Sequence, residues 1–353
     1  MKLPALASIK KHEQEGLVSV QARDNLIVCH YTNKCVYSNT WNNTTVACRG
    51  LILRLDKEWP MSTHVTEIVA LPFEKFFNIG EGDRYPTGKI IETTDKMDGS
   101  LGILYRHNGR LHISTVGSFV SDQAKWATEF LNSNPKYLIN NIPVNYTLLF
   151  EIIYPADRKV VDYGKLEDLI LIGVRDRYSG KDFYHSDVRN IAHVLGFSTP
   201  NTTLFNNYEE ACIEAKVLDA NNEGWVLRFD DGKRFKVKGY EYLTLQRLIN
   251  DVSWRHVIDN LEAGTLDEWI SKLPDEIANE VIAMRIQAKG FIRDKLHQAT
   301  SILAQAPATN DQKVFAIWLQ ENYAKPIRDI VFPMYKGRDV MPYLYKRLRD
   351  RDF

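Results

Sequence analysis

From about residue 26 to 240 the chain alternates short apolar runs with turn residues. The segments 25–29, 50–55, 102–105, 111–115, 146–153, 169–174 and 224–229 each have strand length and β-branched or aromatic content, with Gly, Asn or Asp close by. Asn108-Gly109 and Asp231-Gly232 lie between such runs and predict hairpin turns. Helical spacing interrupts the strands at 121–132 and 187–195. The pattern predicts an α+β body with largely antiparallel sheets. After Gly239 strand signals end. Apolar residues recur at three-and-four spacing over 243–257, 266–273, 275–303 and 312–323, punctuated by Pro274, Pro307 and Pro326. A boundary near residue 240 is expected, with one domain over 1–240 and an all-helical one over 241–353.

Composition narrows this picture. A chain of 353 residues exceeds what one small core supports, and 25% charged with 11% aromatic residues argues against disorder. Formal net charge is zero, which excludes nucleic-acid coating by bulk charge but leaves room for a local basic groove. No run approaches the roughly 20 apolar residues of a membrane span, and the start lacks the apolar stretch of a signal peptide, so a cytoplasmic protein is expected. Cys29, Cys35, Cys48 and Cys212 contain no Cys-x-x-Cys pair, and Cys29, His30 and Cys35 fit no common zinc spacing. Reduced thiols are expected.

One segment stands apart. Lys96-Met97-Asp98-Gly99-Ser100 lies between two strand-like runs, so a tight turn would hold the lysine rigidly with its amine free to enter a cleft. Gly99 permits close backbone approach, and Asp98 and Ser100 can bond the turn or a ligand. Taken alone, the string reads as a polar hairpin turn, as most isolated Lys-x-Asp-Gly strings do. Downstream, in order, come Phe150-Glu151 at a strand end, Tyr154-Pro-Ala-Asp157-Arg158, Asn222-Glu223-Gly224 and Arg234-Phe-Lys236-Val-Lys238. In the last, Lys236 and Lys238 alternate with Phe235 and Val237 and so share one strand face.

These blocks together resemble the covalent nucleotidyltransferases, the superfamily of ATP-dependent DNA and RNA ligases and capping enzymes. Within it the chain is most similar to the phage single-strand RNA ligases of tRNA repair. That narrower likeness rests on Cys48-Arg49-Gly50-Leu51-Ile52, Phe73-Glu74-Lys75-Phe76-Phe77-Asn78, Gly117-Ser118-Phe119 and Ser121-Asp122-Gln123-Ala124. It spans roughly residues 45–240 and implies an antiparallel-sheet adenylation domain.

The resemblance implies that Lys96 attacks the α-phosphorus of ATP, expels pyrophosphate and carries AMP. The AMP then passes to an RNA 5′-phosphate, and a 3′-hydroxyl displaces it to seal the strand. Such transfers need positioning and charge neutralisation more than acid–base groups. The attacking amine must be neutral, and Lys236, Lys238 and a divalent cation would favour that form. Lys236 and Lys238 would brace the α-phosphate, while Arg49 and Lys75 would hold the leaving phosphates. Asp98 and Gly99 would contact the nucleotide. Glu151 would meet the ribose or a metal-bound water, and Glu223 a Mg²⁺ or Mn²⁺ ion. Phe150 and the 169–174 strand are candidates for the adenine pocket, with plain core packing the favoured alternative. The expected partner is single-stranded RNA with 5′-phosphate and 3′-hydroxyl ends, in a host cytoplasm if the protein is phage-encoded, with no membrane and no obligate protein partner.

Departures and rivals remain. Some relatives carry a basic residue just before the Gly-Ser that matches Gly117-Ser118, where this chain has Val116. Residues 82–89 are similar to a phosphate loop, but Ile90 stands where Ser or Thr should be. A ligase for DNA or nicked duplex, a capping enzyme and an inactive binding relative are the alternatives. The first two are disfavoured because no oligonucleotide-binding barrel follows Lys238. The last is disfavoured because Lys96, Glu151, Glu223, Lys236 and Lys238 occur together. From Ala283 to Phe353 thirteen basic residues face seven acidic ones, interleaved near the end with Tyr335, Tyr343 and Tyr345. Such a tail either contacts RNA and stacks its bases, or is a solvated helix whose tyrosines pack inward.

Overall fold

A computed structural model describes residues 3–250, 252–270, 273 and 275–350. The chain divides into two units, Met1–Thr244 and Leu245–Phe353. In the first, helix α1 (Leu6–Gln14) precedes β1 (Val18–Arg23) and β2 (Leu26–Tyr31). The short helices α2 (Asn33–Tyr37) and α3 (Asn43–Ala47) then lead to β3 (Arg49–Leu55) and β4 (Val65–Ala70). These four strands form an antiparallel meander. Next come β5 (Phe77–Asn78), β6 (Ile90–Asp95), β7 (Ser100–His107), β8 (Arg110–Ser114) and α4 (Asp122–Ser133). The unit continues through β9 (Tyr146–Ile153), β10 (Asp168–Asp176), α5 (His185–Leu195), α6 (Tyr208–Glu214), β11 (Gly224–Phe229) and β12 (Arg234–Lys238).

Two further sheets result, ordered β10-β9-β7-β8 and β5-β12-β11-β6. All their pairings are antiparallel except the two-residue β5–β12 contact. The Asn108-Gly109 turn has φ of 49° and 75°, the double left-handed signature of a tight hairpin, and joins β7 to β8 as its sequence predicts. Asp231-Gly232 likewise joins β11 to β12.

Apolar alternation stacks these sheets. Leu26, Val28 and Ile52 of the first sheet meet Ile103, Tyr105 and Leu149 of the second in one buried cluster. The outer face of the first sheet packs on α1 through Leu6 and Ile9. The outer face of the second packs on α4 and α5 through Phe150, Leu171, Leu131 and Val188. The third sheet buries Leu227, Phe235 and Val237 against α6. Charged residues on the other faces are thereby left to line a cleft.

Helix α7 (Tyr240–Asn250) spans the division between the units. In the second unit follow α8 (Trp254–Ala263), α9 (Leu266–Ile270), α10 (Asp275–Ala304), α11 (Gln312–Asn322), α12 (Lys325–Tyr335) and α13 (Met341–Asp350). The single helix expected over 243–257 is two, because the Ser253 hydroxyl accepts from His256 N–H and caps a new start. Pro307 separates α10 from α11, Pro326 occupies the first turn of α12, and Pro274 lies outside the described residues. Ala288, Ile292, Ala299 and Ile302 of α10 pack with Phe315, Ile330 and Leu344 as the core of this unit.

Candidate active site

The segment around Lys96 is not the hairpin turn its sequence suggested. Strand β6 pairs with β11, whereas β7 pairs with β8 and β9, so residues 96–99 carry the chain from one sheet to another. The lysine therefore sits at the junction where two sheets open into a cleft. Its backbone N–H donates to Gly224 O at 2.8 Å. A Cβ on Gly99 would come within 2.4 Å of Ile152 O, so only glycine allows this crossing.

Asp98 anchors the crossing from beneath. It is buried, its Oδ2 accepts the Val160 and Val161 N–H groups at 2.9 Å each, and its Oδ1 accepts the Tyr242 hydroxyl at 2.8 Å. Its own N–H donates to the Tyr163 hydroxyl at 2.8 Å. Both carboxylate oxygens are thus hydrogen-bonded within the protein, and Asp98 is not among the residues lining the cleft. Ser100 donates to Asp157 Oδ2 at 2.7 Å, and Gln123 Nε2 and Lys159 Nζ donate to Oδ1 of that aspartate. One aspartate thereby ties the lysine segment to the Ser121–Ala124 block.

Glu223 lies at the centre of the ionic arrangement. Its buried carboxylate meets Lys96 Nζ at 2.7 Å through Oε2 and Lys238 Nζ at 2.9 Å through Oε1. Lys236 shares the face of β12 with Lys238, as alternation predicts, and its ammonium stands over Phe76 at 5.5 Å. Burial first, then Lys75, Lys96, Arg49 and Lys238, lower its pKa to about 7. Arg49 covers the same Phe76 ring at 5.1 Å, lies beside Tyr31, and keeps its buried Nη1 without a hydrogen-bond partner. Glu151 accepts the Gly99 N–H at 3.0 Å, and burial, partly offset by Lys96, raises it to about 7. Lys75 is half-buried near this group, 3.6 Å from Glu81.

Arg49, Lys96, Gly99, Glu151 and Lys236 line one cleft of ≈ 260 Å³. Its other walls combine apolar or neutral residues such as Ile172, Gly173, Val226, Phe183 and Thr94 with the charged Glu92, Asp95, Arg228 and Arg234. Of the predicted adenine-pocket residues, Ile172 and Gly173 reach this space. Phe150 does not. It is wholly buried on the opposite face of its sheet, 4.8 Å from Phe197, and belongs to the core. Sequence reasoning missed Tyr31, Tyr163 and Tyr242, because lone tyrosines carry no spacing signal. It also gave no role to Asp157, although the Tyr154–Arg158 block contains it. Val116 joins the apolar cluster between the first two sheets.

Metal binding can be tested against the donor set. Among the described residues no group of three His, Cys, Asp or Glu side chains could hold an ion. Glu223 and Glu151 would therefore offer a divalent cation at most two carboxylates, and both oxygens of Glu223 are paired with lysines. The C-terminal tyrosines pack inward within their own unit. Tyr335 stacks on Phe315 at 3.9 Å and its hydroxyl donates to Thr309 O, and the Tyr343 hydroxyl donates to Asp329. Arg347 is buried, and Arg349 pairs with Asp259 and Glu262.

Comparison with known proteins gives a consistent family. A sequence model of the RNA ligase family matches residues 47–242. The chain is 31% identical over 183 residues to a Thermovibrio ammonificans protein named as a candidate RNA ligase, covering 49% of this chain and 47% of that one. It is 27% identical over 221 residues to the RNA ligase of Rhodothermus phage RM378, covering 51% and 47%. The chain thus spans about half the length of the curated relatives it matches. Among solved structures, a Naegleria gruberi RNA ligase variant with ATP and Mn matches with a TM-score of 0.36 and 19% identity, over 44% of this chain and 52% of that one.

Proposed function

This chain belongs to the RNA ligase family, and we propose that it joins RNA 5′-phosphate and 3′-hydroxyl ends, using ATP, through an adenylate carried on Lys96. The observation that carries the reading is the convergence of Lys96 with Lys236, Arg49 and Glu151 on one cleft, with Glu223 paired to Lys96 and Lys238. The unpartnered Nη1 of Arg49 supports an anion there, because a buried guanidinium nitrogen without an acceptor is costly.

The amine of Lys96 forms the N–P bond as the bond from the α-phosphorus to the pyrophosphate oxygen breaks. For this the amine must shed its proton and part from Glu223. Lys236 and Lys238 would neutralise the α-phosphate, and Arg49 with Lys75 the leaving pyrophosphate. Glu151 would accept a ribose hydroxyl, and the base would lie against Ile172 and Val226. A Mg²⁺ or Mn²⁺ ion held through Glu223 and Glu151 would supply further charge neutralisation.

Incubation with [α-³²P]ATP and Mg²⁺ tests this reading. The expected result is a protein band labelled through an acid-labile, base-stable bond and absent in Lys96→Ala. An unlabelled wild-type protein would overturn it. Circularisation of a 5′-phosphorylated single-stranded RNA, compared with single-stranded DNA and a nicked duplex, then assigns the polynucleotide.

A further inference from the structure

The loop after β5 carries a carboxylate into the basic cluster. Gly80, Gly82 and Asp83 adopt φ of 81°, 59° and 59°, and the loop closes on itself through Gly80 N–H to Arg84 O at 2.8 Å. This left-handed winding presents Glu81. Its Oε2 accepts both the backbone N–H and Nδ2–H of Asn78, at 2.9 and 2.7 Å. Its Oε1 is thereby turned toward Lys75 Nζ at 3.6 Å. Asn78 pairs with Lys236 in the β5–β12 contact, so the carboxylate is pinned one strand away from the cation of the cleft. Burial raises the Glu81 pKa, but the Asn78 hydrogen bonds and the nearby Lys75 and Lys236 outweigh it and keep Glu81 below the usual carboxylate range.

We propose that Glu81 is a built-in counter-anion that competes with the leaving pyrophosphate for Lys75 and so favours its release. The inference rests on the ligase reading and deepens it. A fixed carboxylate of one charge cannot match a pyrophosphate for a cluster that includes Lys75, Arg49 and Lys236, so ATP still binds. Once the N–P bond has formed, the same carboxylate lowers the advantage of retaining the product. Asn78 matters because it holds Oε2 and prevents Glu81 from turning to solvent. Among the described residues, the close partner of Oε1 is the Lys75 ammonium.

The test is reversal of adenylation. Wild-type and Glu81→Gln proteins are labelled with [α-³²P]ATP, freed of nucleotide and chased with pyrophosphate, and the label lost is followed against pyrophosphate concentration. Glu81→Gln, which preserves an acceptor for Asn78, should reach half-maximal reversal at roughly two- to fivefold less pyrophosphate, the scale of one partly exposed ion pair. Inhibition of the forward step by added pyrophosphate should strengthen by the same factor. A loop that is merely disturbed would weaken pyrophosphate use, and that outcome, or an unchanged midpoint, overturns the inference. Glu81→Ala provides the second variant and should shift the midpoint in the same direction. Wild-type protein that takes no label would instead remove the ligase reading.

Discussion

The Tyr242 hydroxyl donates to Oδ1 of Asp98 at 2.8 Å, joining the first turn of α7 to the segment that carries Lys96. Tyr242 is wholly buried, and burial first, then the charges of Glu223 and Asp98, push its hydroxyl pKa well up; Glu223 is the carboxylate shared by Lys96 and Lys238. One phenol therefore anchors the nucleophile's loop and lies in the field of its ionic partner. Neither relation shows in the sequence, since Tyr242 lies 144 positions from Asp98.

Asp98→Asn should separate anchoring from chemistry. The amide group would place a donor against either the Val160 and Val161 N–H groups or the Tyr242 hydroxyl. Leaving such buried donors unsatisfied costs about 1–3 kcal/mol. The variant should unfold at lower denaturant and label more slowly with ATP. Tyr242→Phe removes one hydroxyl and should cost about 1 kcal/mol. Equal stability of wild type and Asp98→Asn would contradict the anchoring role.

Nucleotide affinity should depend on pH through Lys236. Burial and the surrounding cations lower this lysine to about 7, so near neutrality part of the free protein carries it uncharged. A bound polyphosphate favours the ammonium, so binding takes up a proton and weakens as pH rises through 7 to 8. Calorimetry in buffers of different ionisation enthalpy should detect that uptake. Lys236→Arg, charged throughout, should abolish it. For stability the sign is set by the same lowering. Between pH 7 and 10.5 the unfolded chain holds this proton and the folded one does not, so this group makes stability rise with pH. Lys236→Met should therefore stabilise the fold more at pH 6 than at pH 9.

Phe150→Ala should behave as a core truncation. The ring is wholly buried against Phe197, away from the cleft. A loss of about 3–5 kcal/mol is expected. At a temperature where the variant stays folded, its KM for ATP should match wild type. A selectively raised KM would return Phe150 to the nucleotide site.

What was legible beforehand follows from the range of each signal. Strand alternation placed Lys236 and Lys238 on one face, and turn chemistry placed the Asn108-Gly109 hairpin, because both depend on neighbours in sequence. Sheet membership does not. The Lys96 segment has strands on both sides, and nothing local states that β6 and β7 belong to different sheets. The same limit explains Phe150, since a strand buried on both faces shows no alternation to tell cleft from core. The break before α8 depended on one serine cap inside an otherwise continuous helical pattern.

The C-terminal tyrosines supply a last test, because their rings are engaged within the helical unit. Tyr335 lies nearly parallel to Phe315, at 10° and 3.9 Å between ring centres, and its hydroxyl donates to Thr309 O. Phe315 is itself wholly buried, so the pair is part of the core and is not available to stack an unpaired base. Tyr335→Leu keeps an apolar side chain but loses the ring contact and the hydrogen bond, for a cost of about 1–3 kcal/mol. Thermal unfolding should show that loss. Labelling with ATP should not change, because every candidate site residue lies in Met1–Thr244. Lys336, Arg338 and Lys346 are exposed by contrast, and replacing them with alanine should leave stability nearly unchanged while reducing the salt dependence of RNA retention. Loss of RNA retention in folded Tyr335→Leu, with no change in its melting temperature, would show that the ring serves RNA and not the core.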